Sequence, residues 1–202
     1  MKSLRFAFLF LVLLMAVLVV VNYWREHRHD DETYLQSLEH TLACADWVTY
    51  EDADLGYAMR YPSCFMPAEA EGDSSVRFAY VEQLPLRSIV YITLDVTTEV
   101  CRDTVDPYQE MRQRAKDIGG VCLRKSPTEY LMTARLKSRD PKVTAYRLQA
   151  KYVLKQRLWF VETLIYPVDF ATAMHRLVDE VNAWQPFPSD SFHTMTEPPS
   201  IY

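Results

Sequence analysis

Apolar and polar positions divide this chain sharply near its twenty-fifth residue. From Phe6 to Val21 the sequence is unbroken apolar, FAFLFLVLLMAVLVVV, behind Lys2 and Arg5 and without Gly, Pro or charge. As a helix this run is about 24 Å long. Asn22, Tyr23 and Trp24 extend it towards the ~30 Å hydrocarbon core of a bilayer. Tyr23 and Trp24 suit the headgroup boundary, and Arg25 lies just beyond. The pattern predicts a membrane span over Phe6–Trp24 that follows a short tail, residues 1–5. A cleaved signal peptide needs small residues after the apolar run, and Val21 to Trp24 do not supply them; Leu42-Ala43-Cys44 comes too late. The flanks therefore fit a retained anchor.

Beyond the span the periodicity changes. REHRHDD (25–31) reads as a polar collar, followed by a short helix over Glu32–Ala45 with Leu35, Leu38 and Leu42 on one face. Alternation predicts strands over Trp47–Glu51 and Gly56–Tyr61, joined by Asp52-Ala53-Asp54, then over Ser75–Glu82 and Ser88–Thr97. In the last of these Val90, Ile92, Leu94 and Val96 share one face, and Ile89 and Tyr91 lie on the other. Asp106, Pro107 and Gln109 signal a helix start; Tyr108, Met111, Ala115 and Ile118 form its stripe, and Gly119-Gly120 ends it. Strands follow over Val121–Arg124, Glu129–Lys137, Val143–Leu154 and Arg157–Tyr166, the last two joined at Lys155-Gln156. A final helix is expected from an Asp169 cap to Trp184, with Phe170, Met174, Leu177, Val178, Val181 and Trp184 in its stripe. The tail beyond Phe187, residues 188–202, carries no periodic pattern and reads as disordered. The elements predict an α+β domain over 47–187, with a mostly antiparallel sheet and helices on both faces.

Charge orients the chain only weakly. Lys2 and Arg5 precede the span and Arg25 and Arg28 follow it, so the positive residues balance. The acidic Glu26, Asp30, Asp31 and Glu32 favour a cytoplasmic N-terminus with the domain periplasmic or extracellular. The net charge of −5 becomes −7 once Lys2 and Arg5 are set aside. An acidic domain without a basic stripe argues against nucleic acid as a partner. Four glycines, with no cluster before a Lys, do not build a phosphate loop.

Cys44, Cys64, Cys101 and Cys122 contain no CxxC. Outside the cytosol an even number predicts two disulfides, and the preferred pairing is Cys44 with Cys64 and Cys101 with Cys122; inside it, the same residues are small buried hydrophobes.

No constellation names a reaction. His27 to Asp31 is a solvated collar rather than a metal site. Ser63 and Cys64 lack a nucleophile elbow, and the only later histidines are His175 and His193. Glu51, Asp52 and Asp54 read as a hairpin turn, since a calcium loop needs more ligands. Glu162 stands mid-strand between Phe160 and Leu164 and, if buried, needs Arg147 or Lys151 as a partner. Neither a catalytic set, a metal site nor a cofactor site is predicted. Tyrosines fill the strands (Tyr61, Tyr146 and Tyr152 among them), and Tyr57, Tyr80, Tyr91 and Tyr130 are the candidate binding surface.

Trp47-Val-Thr-Tyr50, then Gly56-Tyr-Ala-Met-Arg-Tyr-Pro62, and a terminal hairpin leading through Tyr166-Pro167 to Trp184-Gln-Pro-Phe187 together resemble the PsbP-like and DcrB-like α/β/α sandwich domains. The resemblance covers Trp47 to Phe187. It implies a domain tethered outside a membrane, with an accessory role, another envelope protein as partner and no shared catalytic residues. The chain departs from that family in its uncleaved helix, where many relatives carry a lipid anchor, and in its four cysteines. A small-ligand binder using the sheet face and an envelope hydrolase are the competing expectations; the latter requires His175 or Glu162 in a concave site.

Overall fold

The computed structural model describes the backbone of residues 2–70, 75–82, 90–102, 106–139 and 143–187, and their side chains except at 2–11, 24–33, 82, 90 and 91. Two units separate, Met1–Thr41 and Leu42–Tyr202. The first is the body of one helix, α1 (Lys2–Cys44). The expected break at the polar collar is absent from the backbone. The residues from Arg25 to Glu32 include neither Gly nor Pro, so a change of polarity there need not interrupt helical hydrogen bonding. Its large apolar residues from Val12 to Val21 are 48–65 % exposed. Among the described residues no helix is long and apolar enough to cross a membrane; the first part of the predicted span, Phe6 to Leu11, lies outside those whose side chains are described.

The second unit is α+β. Its strands are β1 (Trp47–Asp52), β2 (Tyr57–Pro62), β3 (Met66–Ala68), β4 (Ser75–Glu82), β5 (Val90–Val100), β6 (Val121–Arg124), β7 (Glu129–Lys137), β8 (Ala145–Lys155) and β9 (Leu158–Pro167). Helices α2 (Pro107–Asp117) and α3 (His175–Ala183) complete it, with a 3-10 turn over Val168–Phe170. β1 and β2 form a separate two-stranded sheet, and the other strands form a seven-stranded sheet ordered β3-β4-β5-β9-β8-β7-β6. Every pairing is antiparallel.

Alternation along β9 sorts the two faces. Trp159 and Val161 join Met111 and Ala115 of α2, with Tyr130, Met132 and Ala150, in one buried cluster. Phe160, Glu162, Leu164 and Tyr166 turn the other way, where Tyr57 meets Phe160 edge-on at 5.9 Å. On that second face the hairpin docks through aromatic rings. Tyr61 stacks on Phe78 at 3.8 Å, and Tyr50 meets the same ring edge-on. α3 covers β8 and β9 with Leu177 and Val181.

Local chemistry explains the turns. Asp52 Oδ1 accepts from the Asp54 and Leu55 amides at 3.0 and 2.9 Å, so the acidic triplet is a hairpin turn. At Gly120 an added Cβ would stand 2.6 Å from the Thr133 carbonyl, which closes α2 tightly onto β7. Arg176 Nη1 donates to the carbonyls of Leu42, Ala43 and Ala45, groups that the last turn of α1 leaves without helical partners. Two expected caps are not made. Asp106 precedes α2 without a side-chain cap bond, and Asp169 lies in the 3-10 turn, six residues ahead of α3. The tail over 188–202 lies outside the described residues.

Candidate functional site

α2 lies over the β6 and β7 side of its face of the sheet. Towards β4, β5 and β9 the same face carries Ser75, Arg77, Thr93, Thr97, Thr163 and Ile165, all partly exposed. Register aligns them in rows: Ser75, Thr97 and Val161; Arg77, Asp95 and Thr163; Ala79, Thr93 and Ile165. In the middle row Arg77 grips Asp95 with both ends of its fork, Nε to Oδ1 and Nη2 to Oδ2, each at 2.9 Å. A two-point guanidinium–carboxylate bond fixes both planes and holds the charges in a set direction.

Four residues further along β5, about 13 Å away, Glu99 pairs with Arg114 of α2. Arg114 also donates to Glu110 at 2.8 Å. Glu110 is buried and receives the Trp159 indole N–H at 3.3 Å, the Arg102 amide at 3.4 Å and the Cys101 thiol at 3.6 Å. Burial by itself would raise this carboxyl; the Arg114 and Trp159 hydrogen bonds outweigh it and hold it below the usual range. The result is a polar strip, Arg77–Asp95 towards one end and Arg114–Glu99–Glu110 at the other, with Thr97 between them, Thr163 beside Asp95 and Thr93 beyond it. Its charges are paired, which suits recognition of a complementary surface better than proton transfer.

The residues singled out from the sequence do not gather into one site. Tyr57 and Tyr130 are 3 % and 1 % exposed and point to opposite faces, packed on Phe160 and Trp159 respectively. They are core and not the exposed binding surface that the sequence predicts. Tyr80 is partly exposed, and the Tyr91 side chain lies outside the described residues. The expected disulfides are also absent: Cys44, Cys64, Cys101 and Cys122 are all thiols. Cys101 is held in the α2 core against Glu110, while Cys44 is exposed at the end of α1. Burial raises the thiol pKa of Cys64, Cys101 and Cys122, which disfavours the nucleophilic thiolate.

His175 is exposed and its Nδ1 lies 3.0 Å from the Thr172 carbonyl, whereas Glu162 is sealed in the core, so the two do not share a concave site. His193 and the side chains of the His27–Asp31 collar fall outside the described residues. Among the described residues no group of three or more His, Cys, Asp or Glu is placed to hold a metal ion. Lys151, one of two partners expected for Glu162, does stand opposite it; Arg147 stands opposite Tyr166.

No protein-family model matches the chain, and no curated protein matches it in sequence. Solved structures do. The chain is similar to the Saccharomyces cerevisiae Ran-binding protein Mog1p, with a TM-score of 0.50 and 10% identity over 69% of this chain and 94% of that one. Cyanobacterial PsbP (CyanoP) from Synechocystis matches with a TM-score of 0.44 and 15% identity, over 69% of this chain and 91% of that one. A Bacteroides thetaiotaomicron protein matches at 0.41 and 13%, over 59% of this chain and 41% of that one. At this identity the Mog1p likeness is one of fold.

Proposed function

We propose that this protein is a membrane-tethered, non-catalytic accessory domain that docks another envelope protein outside the membrane. The observation that carries the reading is the strip on β4, β5 and β9. It is partly exposed, rich in threonine, and bounded by ion pairs already in place. Ordered charge pairs confer register and partner choice on a docking surface, and they leave no uncompensated acid or base for chemistry. Mog1p, which shares the fold, is described as a Ran-binding protein, and the resemblance of Trp47–Phe187 to PsbP-like and DcrB-like domains points the same way.

Tethering is supported by α1. A helix with exposed Val, Leu and Met along Val12–Val21 calls for an apolar surrounding. Cys44 supplies the test of side, because it is exposed and not in a disulfide. A membrane-impermeant thiol reagent applied to intact cells is expected to label it without prior reduction. Labelling only after lysis would place the domain in the cytosol and remove the envelope partner from the account.

A further inference from the structure

One row of facing residues crosses the middle of the sheet on the α3 side: Val76, Val96, Glu162, Lys151, Leu131 and Leu123. An acid and a base stand side by side within an otherwise apolar line. Glu162 is wholly buried, and among the described residues neither carboxyl oxygen has a hydrogen-bond partner. Directly opposed residues on one face of an antiparallel pair have Cβ atoms about 4.5–5.5 Å apart, within reach of a lysine stem. Lys151 nevertheless points its ammonium elsewhere. Nζ donates to the Trp184 carbonyl at 2.5 Å and stands 3.7 Å from the Glu129 carboxylate. From α3, Glu180 faces Glu162 with like charge and is itself paired with Arg60 of β2 at 3.4 Å. From β5 the opposing residue is Val96.

Trp184 begins a strap that follows α3. Its indole donates to the Ala58 carbonyl, and the Ala58 amide donates to the Pro186 carbonyl, both at 2.8 Å. Phe187 then packs edge-on against Phe160 at 4.8 Å, beneath the Lys155 ammonium. The strap thus joins α3, the hairpin and the sheet, and Lys151 holds its first carbonyl.

We propose that Glu162 and Lys151 form a proton-operated latch on this strap. While Glu162 carries its proton, Lys151 stays on the Trp184 carbonyl. When the proton leaves to solvent, the new carboxylate draws the ammonium across the strand pair, and the Trp184 carbonyl is released. The driving force is the cost of a buried carboxylate without a partner, which a neighbouring ammonium relieves. Burial, then the charge on Glu180, raises this carboxyl well above its ordinary range against the pull of Lys151, which favours the held state.

The test is an NMR titration of the full chain in detergent micelles from mildly acid to mildly alkaline pH, with labelled Glu carboxyls and Trp indoles. The Glu162 carboxyl and the Trp184 indole are expected to shift with one midpoint, while the Trp159 indole, bonded to Glu110, does not follow it. Glu162→Gln abolishes the Trp184 shift, and Lys151→Met flattens it even if the first variant does not fold. A Trp184 indole that ignores the Glu162 midpoint, or still titrates in either variant, overturns the latch. So does a Glu162 that never titrates in this range.

Discussion

Trp184 donates its indole N–H to the Ala58 carbonyl at 2.8 Å, across 126 residues of chain. Ala58 returns its own amide to Pro186, so both of its main-chain groups are engaged by the segment that follows α3. The hairpin β1–β2, outside the large sheet, is tied down by this exchange as well as by its aromatic rings. Trp184→Phe keeps most of the ring and removes only the donor. It should destabilise the fold by about 1–3 kcal/mol, the cost of stranding a part-buried carbonyl, as read by urea denaturation. An unchanged midpoint would show that the rings alone hold the hairpin.

Glu162 makes stability fall as pH rises above the ordinary carboxyl range. Its folded-state carboxyl is raised by burial, by Glu180 and against Lys151, so the native state keeps a proton that the unfolded chain has already lost. The contribution is complete below the unfolded carboxyl pKa and is lost as pH rises through the folded one. Across that window stability falls by about 1.4 kcal/mol per pH unit for a single proton. Glu162→Gln removes the slope, so the variant should gain on the wild type steadily as pH rises in paired denaturation curves. A difference that stays constant with pH would show that Glu162 is ionised in the fold.

Glu110 acts in the opposite direction. Although burial opposes it, the carboxyl is held low by Arg114 and Trp159. Its contribution is present above the unfolded carboxyl pKa and disappears as pH falls through the folded value. Glu110→Gln should cost about 1.5–3 kcal/mol at neutral pH, as for a lost charge-assisted bond. The penalty should shrink in acid, and melting curves at the two pH values decide between this and a pH-independent packing role.

The β8–β9 turn offers a gain. Gln156 and Arg157 both adopt positive φ, 50° and 68°, in a two-residue hairpin loop that usually takes Asn-Gly. Gln156→Asn with Arg157→Gly should raise stability by roughly 1 kcal/mol by relieving left-handed strain. The Cys101 amide donates to the backbone carbonyl of Arg157, so that contact survives. A lower melting temperature would show that the Arg157 side chain matters more than its backbone.

Strands β4, β6 and β7 have the bounds that alternation and turn residues predict, because each is a clean run between breakers. Tyr57 and Tyr130 show what alternation omits. It places them on strands but not on a face, and here the faces are opposite. The Arg77–Asp95 pair depends on the register of β4 against β5, 18 residues apart, and local pattern does not encode that offset. Asp95 left one mark, a charge between Leu94 and Val96 in an apolar strand. Glu110 was hidden by its place among polar helix residues, although its spacing sets it against Arg114, one turn on. Sequence locality pairs Cys101 with Cys122; Cys101 lies in the buried cluster with Trp159 and Cys122 packs against that cluster, both as thiols.

The β4–β5–β9 face is the proposed docking surface. Its most direct test is a photoreactive phenylalanine placed at Thr97 in the full chain, with a control at the exposed Asp179 of α3, irradiated in intact cells. A discrete adduct with another envelope protein is expected from Thr97 and none from Asp179. An absence of adduct at Thr97, or the same products from both positions, would contradict it.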